Sequence, residues 1–133
     1  LFNSSLRFPL WAKIELVKQT IPQINGSSFS VYGIGNHSLF DGGWVSLFVN
    51  KGYFPNRSYL NDGWDFIYRT HSLYSYNPDQ KEGEKIIIFH DINNQLQNTP
   101  IFSKKIYTTL SFGKMSATIL DNKEGWFNMK LLK

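Results

Sequence analysis

The chain has 133 residues, a formal net charge of +4 and no cysteine. Its length fits one domain of ordinary size, so we expect residues 1–133 to form a single domain. Hydrophobic residues make up 41% of the chain and charged residues 18%, which excludes an intrinsically disordered protein. The longest uninterrupted apolar run, residues 86–89, is far too short to span a membrane.

The first half of the chain is predicted to form strands. Residues 10–17 alternate apolar and polar side chains well enough to predict one, and residues 29–34 predict a second. Residues 44–49 are dense in β-branched and aromatic side chains, which is typical of a buried strand. Residues 50–63 contain glycine, proline, asparagine and aspartate, and they predict a loop or a short edge strand.

The middle of the chain predicts a helix and a buried strand. Residues 64–76 fit either a strand or a helix, and the spacing of Trp64, Ile67 and Tyr68 favours the helix. Residues 84–90 contain four consecutive large apolar side chains and predict a strand that is buried on both faces. Such a strand requires covering elements on both sides of its sheet.

The last third predicts a helix and two strands. Residues 98–113 have Pro100 at the first helical position, an apolar residue at every fourth position and Gly113 where a helix cap belongs. Residues 115–120 and 126–132 predict strands joined by a polar turn. The summed pattern predicts a mixed α/β (α+β) fold, a compact single domain of small β-sheets flanked by one or two helices.

Four Asn-x-Ser sequons bear on the compartment: Asn3, Asn25, Asn36 and Asn56 are their asparagines. They make the chain a candidate for N-glycosylation and predict a secreted or lumenal protein. The alternative is that an Asn- and Ser-rich chain contains sequons by chance, which would suit an organellar or intracellular assembly. Because the chain begins with Leu1 rather than methionine, we expect that a leader or a neighbouring domain has been removed.

Charge and histidine positions argue against several classes of partner. The basic residues are spread out, with Lys104 and Lys105 as the one adjacent pair, so we predict no nucleic-acid partner. His37, His71 and His90 are too far apart in sequence for a metal motif, and the absence of cysteine excludes disulfides, thiolate nucleophiles and cysteine-ligated zinc. We therefore predict neither a metal nor another cofactor.

Catalytic motifs are scarce. His90 and Asp91 follow the buried strand and resemble a base with the carboxylate that orients it, which leaves a hydrolase as an alternative. No Gly-x-Ser-x-Gly elbow is present, and the small domain does not favour the long cleft that glycosidases need. We predict that the protein is not an enzyme.

Three tryptophans directly follow glycines, at Trp44, Trp64 and Trp126. Each anchors a core at the start of an element, or else stacks on a sugar ring, for which Trp126 and Trp64 are the candidates. The chain also has 11 phenylalanines and 7 tyrosines, which favours a binding site or a partner interface in addition to a core.

The spacing of the C-terminal segment carries a family resemblance. Leu120 lies seven positions and Trp126 thirteen positions after Gly113, and residues 123–126 read Lys-Glu-Gly-Trp. In this spacing the segment resembles the C-terminal part of the interleukin-like EMT inducer (PANDER-like) domain family. That family includes a cytokine-like group and the stem domain of the enzyme that adds N-acetylglucosamine to protein O-mannose. In it, a helix ends at the corresponding glycine, and an Arg-Asp-Ser/Thr-Trp motif carries the tryptophan.

The resemblance covers a core of about residues 29–132 and is carried mainly by residues 83–132. It implies a compact domain of two small sheets with flanking helices and no catalysis. The stem domain's pocket binds a sugar, and the matching positions here are Asp91, Lys123 and Trp126. A carboxylate that accepts hydrogen bonds from hydroxyls, a cation that donates to sugar oxygens and a ring that stacks against the sugar suit saccharide recognition.

These observations lead to two functional hypotheses. The first is a non-catalytic extracellular or lumenal module that recognises a carbohydrate or a glycoprotein partner through Asp91, Lys123 and Trp126. The alternative is a structural or accessory subunit of a larger assembly, whose exposed aromatic residues are covered by neighbouring subunits.

Overall fold

A computed structural model describes residues 9–35, 43–58, 81–94 and 96–132 of the chain. In chain order the helices and strands are α1 (Leu10–Ile24), β1 (Phe29–Gly33), α2 (Trp44–Val49), β2 (Arg57–Ser58), β3 (Lys85–Asp91), α3 (Pro100–Ser103), β4 (Ile106–Phe112) and β5 (Met115–Asp121). Two short 3₁₀ helices, Leu96–Asn98 and Met129–Leu132, complete the described elements.

The five described strands form one mixed sheet in the order β2-β1-β3-β5-β4. Strand β1 is parallel to both β2 and β3, whereas β5 is antiparallel to both β3 and β4. Strand β3 therefore lies at the centre of the sheet, as its run of large apolar side chains predicts. Within the described residues, the structure has one five-stranded sheet where the family resemblance implies two small sheets.

Strand β3 contributes to an apolar core on each face of the sheet. Ile87 and Phe89 belong to the first core, and Ile86 and Ile88 belong to the second. All four side chains are fully buried, and each contributes about 1.5–3 kcal/mol to the free energy of unfolding. The prediction that residues 84–90 form a strand buried on both faces is confirmed.

Helix α1 covers the first core, and the prediction of a strand over residues 10–17 is wrong. Leu16, Val17 and Ile24 are buried at helical spacing. Asn25 caps the C-terminal end of the helix in a left-handed conformation with φ of 50°. Lys85 of β3 donates from Nζ to the carbonyl of Gln23 at 2.6 Å, which satisfies a carbonyl in the last turn.

Helix α2 replaces the strand predicted over residues 44–49. Gly43 precedes it with φ of 76°, and the chain then turns into a short helix of six residues. The Trp44 ring stacks on Phe89, with ring centroids 3.8 Å apart and planes 2° from parallel. Trp44 and Phe48 enter the first core, while Val45 and Val49 enter the second.

The helix predicted over residues 98–113 is mostly wrong. Pro100 starts a helix as predicted, but α3 ends at Ser103. Strand β4 follows, pairs with β5 and carries an irregularity between Ile106 and Thr108. Gly113 lies in the turn that joins β4 to β5, with φ of 63°, so it serves a hairpin rather than a helix end.

The C-terminal segment also departs from prediction. Residues 126–132 are not a strand: the described part ends in the 3₁₀ helix Met129–Leu132. Phe127 is buried in the second core, and Trp126, Met129, Leu131 and Leu132 pack against it. This segment, together with α3, covers the face of the sheet that α1 leaves open.

The predictions of strands over residues 29–34 and 115–120 are confirmed, and β2 is a short edge strand within the region 50–63. The predicted helix over residues 64–76 lies outside the described residues. The fold class is confirmed, since the chain forms a compact mixed α/β domain in which helices flank the sheet.

Gly83 provides a test of the packing. A Cβ atom at this position would overlap the backbone of Phe29, although Gly83 itself has an ordinary backbone conformation. We expect Gly83→Ala to lower the free energy of unfolding by about 3 kcal/mol in urea denaturation. Gly113→Ala is the control: open space surrounds that position, so we expect only the conformational cost of about 1 kcal/mol. Equal losses in the two variants would contradict the close approach at Gly83.

Candidate functional site

The structure separates the three residues of the predicted saccharide site. Asp91 pairs with Met115 at one end of the β3–β5 ladder, and Lys85 pairs with Asp121 at the other. Six residue steps along β3 correspond to about 20 Å. Lys123 and Trp126 follow Asp121, so they lie together at one end of the sheet while Asp91 lies at the opposite end.

Residues 121–127 form a loop that we term the Trp126 turn. Asn122, which is buried, holds it in place: its Nδ2 donates to the carbonyl of Gly83 at 2.9 Å, and its Oδ1 accepts from the backbone N–H of Phe127 at 2.8 Å. The backbone N–H of Asn122 also donates to the carbonyl of Glu84 at 2.7 Å. One side chain thus fixes both ends of the turn against the start of β3.

Trp126 is a half-buried ring with a fixed orientation. Its indole Nε1–H donates to the carbonyl of Asp121 at 2.7 Å. The ring meets Phe127 edge-on, with centroids 5.7 Å apart, and meets Phe102 at a tilt, with centroids 6.2 Å apart. These contacts leave the indole few alternative positions, which is the condition for a preorganised stacking surface.

Charged side chains belong to the same turn as the ring. Asp121, Lys123 and Glu124 are exposed, and Glu124 lies 3.6 Å from Nζ of Lys105. Asp121 accepts the backbone N–H of Lys123 through Oδ1 at 3.0 Å, so its carboxylate retains a second oxygen for another donor. Asp121 is the carboxylate that the sequence interpretation missed, although it belongs to the same predicted polar turn as Lys123.

A second polar cluster contacts the Trp126 turn through Phe127. The Tyr32 hydroxyl donates to the Glu82 carboxylate, whose oxygens lie 2.6 and 2.7 Å away, and Arg57 Nε lies 3.6 Å from that carboxylate. Burial, followed by the Glu82 charge, raises the pKa of Tyr32 well above its ordinary value. The phenol therefore stays protonated. Its ring packs against the Phe127 ring, with the two ring centroids 5.6 Å apart. No local motif marks this cluster, because 50 residues separate Tyr32 from Glu82.

The side chains of His90 and Asp91 do not form the predicted pair of a base and the carboxylate that orients it. Its Nδ1 lies 2.7 Å from the backbone carbonyl of Asp91, and its Nε2 lies 2.7 Å from Oγ1 of Thr118. A carbonyl only accepts, so Nδ1 carries the proton and Nε2 accepts from the Thr118 hydroxyl. The Asp91 carboxylate instead accepts the backbone N–H of Asn93 at 2.8 Å. His90 and Thr118 are both buried, which suits a structural link between β3 and β5.

Two of the four sequons lie within the described residues. The Asn25 side chain is exposed at the end of α1. Asn56 is half-buried, its backbone N–H donates to the carbonyl of Phe29 at 2.7 Å, and Ser58 of the same sequon is buried in β2. Asn3 and Asn36 lie outside the described residues. Asn25 is therefore the better placed of the two described candidates, and glycosylation stays a prediction.

Comparison with known proteins adds no relative: no protein-family model matches the chain, and no curated protein or solved structure is significantly similar to it. The PANDER-like resemblance therefore stays a prediction. Across the described ranges, no helix combines the length and the hydropathy that crossing a membrane requires. The same residues contain no group of three His, Asp or Glu side chains that could hold a metal ion.

Asn122 should control the order of the Trp126 turn. Asn122→Ala removes both side-chain hydrogen bonds and leaves the buried Gly83 carbonyl without this partner, so we expect a loss of about 3 kcal/mol in the free energy of unfolding. We also expect faster hydrogen exchange at the Trp126 indole and the Phe127 amide. Asn98→Ala, at an exposed position, is the control and should change neither measurement. Unchanged exchange in Asn122→Ala would show that other contacts order the turn.

His90 should make stability depend on pH. Burial lowers the pKa of His90 from its ordinary value of 6.5. The unfolded chain therefore takes up this proton more readily, and the free energy of unfolding should fall as the pH decreases below about 6.5, until the lowered pKa is reached. His90→Gln should show a shallower dependence in urea denaturation between about pH 7 and pH 5. The other two histidines are present in both proteins, so identical slopes would contradict the assignment to His90.

Proposed function

We propose that the protein is a non-catalytic module that recognises a carbohydrate, free or carried by a glycoprotein, through the Trp126 turn. The observation that supports this proposal is the Trp126 ring, which the Asp121 carbonyl and two phenylalanines hold in one orientation. An indole fixed beforehand loses little conformational entropy when a sugar ring stacks on it.

The polar groups of the Trp126 turn match the hydroxyls of a saccharide. Lys123 supplies an N–H donor, and the Asp121 and Glu124 carboxylates supply acceptors, all on exposed side chains of the same turn. A sugar presents apolar C–H groups on one face and hydroxyls around its rim, so a ring flanked by donors and acceptors recognises both. In this proposal Asp121 takes the role that the sequence interpretation assigned to Asp91.

A secreted or lumenal location fits this function. Glycoproteins and free glycans are abundant in that compartment, and the Asn25 sequon lies on an exposed surface at the end of α1. Asn25 is distant in sequence from the Trp126 turn. A glycan on Asn25 would be a modification of the module and not the ligand that the turn binds. The location and the glycosylation of Asn25 are proposals that accompany the binding function.

The proposal is tested by screening the purified protein on an array of neutral, N-acetylated and acidic oligosaccharides, followed by titration with the best binder. We expect Lys123→Ala and Asp121→Asn each to weaken that binding by about 5- to 30-fold, because each removes one hydrogen bond to a charged group. Asp121→Asn keeps the Oδ1 acceptor that the Lys123 amide uses, so the turn should stay folded.

Asp91→Asn is the matched control, since it makes the same chemical change at the opposite end of the sheet. It should leave the affinity unchanged. The proposal fails if no oligosaccharide binds, or if Asp91→Asn weakens binding as much as Asp121→Asn does.

A further inference from the structure

Strand β4 forms one edge of the sheet. It is last in the strand order, and within the described residues it pairs with β5 alone. The pair Phe112 and Met115 closes a two-residue turn, so these residues exchange hydrogen bonds with each other. Alternation along an antiparallel ladder then directs the backbone N–H and C=O groups of Thr109 and Ser111 away from β5. Among the residues that the structure describes, the outer edge of β4 thus presents a row of backbone donors and acceptors to a further strand.

The two faces beside this edge differ in chemistry. On the first-core face, Leu110 and Phe112 are half-buried, and the Trp11 ring meets Phe112 edge-on at 5.5 Å between centroids. Trp11 is 66% exposed, so a large apolar surface lies next to the edge. On the opposite face, Thr109 and Ser111 are exposed hydroxyl side chains. A strand added here would meet apolar groups on one face and hydroxyls on the other.

A lysine precedes β4 and another follows it, and their charges favour some partners of this edge over others. Residues 106–112 carry no charge, whereas exposed Lys104 precedes β4 and exposed Lys114 follows it. A second copy that paired antiparallel about Thr109 would bring the end of β4 that follows Lys104 in each chain next to the end that precedes Lys114 in the other. Like charges brought close together at both ends of a strand pair are destabilising, so these lysines disfavour self-pairing and favour carboxylates.

We propose that β4 is a docking edge for an extended segment of a partner protein, with alternating apolar and hydroxyl side chains and acidic residues at its ends. The segment adds a sixth strand to the described sheet through the outward backbone groups of Thr109 and Ser111. Its apolar side chains lie over Trp11 and Phe112, and its acidic ends meet Lys104 and Lys114. This function is additional to carbohydrate recognition at the Trp126 turn and does not depend on it.

The test uses a synthetic peptide of alternating valine and threonine with two carboxylate residues at each end. We expect it to bind the full chain and to slow hydrogen exchange at the Thr109 and Ser111 amides. A second peptide of the same sequence carries N-methyl groups on the amides that would pair with β4. It keeps every side chain and charge but lacks the N–H donors, so it should bind about tenfold or more weakly.

The double variant Lys104→Glu and Lys114→Glu tests the charges at exposed positions, and it should also weaken binding of the first peptide about tenfold. Circular dichroism of the variant checks its fold, and the N-methylated peptide tests the edge on the unaltered protein. The proposal is overturned if both peptides bind equally, or if neither binds at about 1 mM. It is also overturned if sedimentation shows a dimer whose Thr109 and Ser111 amides are already protected without peptide, since a second copy would then occupy the edge.

Discussion

The burial of β3 on both faces is the constraint on which the rest of the fold depends. Ile86, Ile87, Ile88 and Phe89 are fully buried, so each face of the sheet needs its own cover. Helix α1 supplies that cover on one face. On the other, the chain beyond β5 must return across the sheet, which brings Trp126 and Phe127 over the second core. The position of the candidate site is therefore a consequence of how the central strand is covered.

The sequence predicts the strands whose local pattern agrees with their environment, namely β1, β3 and β5. It fails where two periodicities fit the same residues. A spacing of four residues is even, so it fits one face of a strand as well as one face of a helix. The irregularity in β4 then separates Ile106 from Leu110, which contact different cores. In α2, the stacking of Trp44 on Phe89 overrides the strand preference of its β-branched residues, and no local window contains that contact.

In the candidate site, too, the sequence predicts what is local and misses what depends on contacts between distant segments. Lys123 and Trp126 are three positions apart, so their proximity follows from the sequence, as does their nearness to Asp121. The placement of Asp91 depends on the register of β3 against β5, which pairs Asp91 with Met115 and Lys85 with Asp121. Register is set by the burial of the whole ladder and by the turn between β4 and β5 rather than by any motif. The supporting contacts of Asn122 with Gly83 likewise join segments that are 39 residues apart.

Helix α2 contributes residues to both cores, and this affects how the domain unfolds. A sheet with separate clusters on its two faces can lose one cluster while it keeps the other, because the clusters share few side-chain contacts. Here consecutive residues of one short helix, Trp44 and Val45, are buried in different clusters. Displacing α2 removes side chains from both at once, so we expect the two halves of the core to melt in a single cooperative transition. Covers of opposite faces are thus linked energetically, and we expect a ligand of the proposed site, over the second core, to stabilise the first core as well.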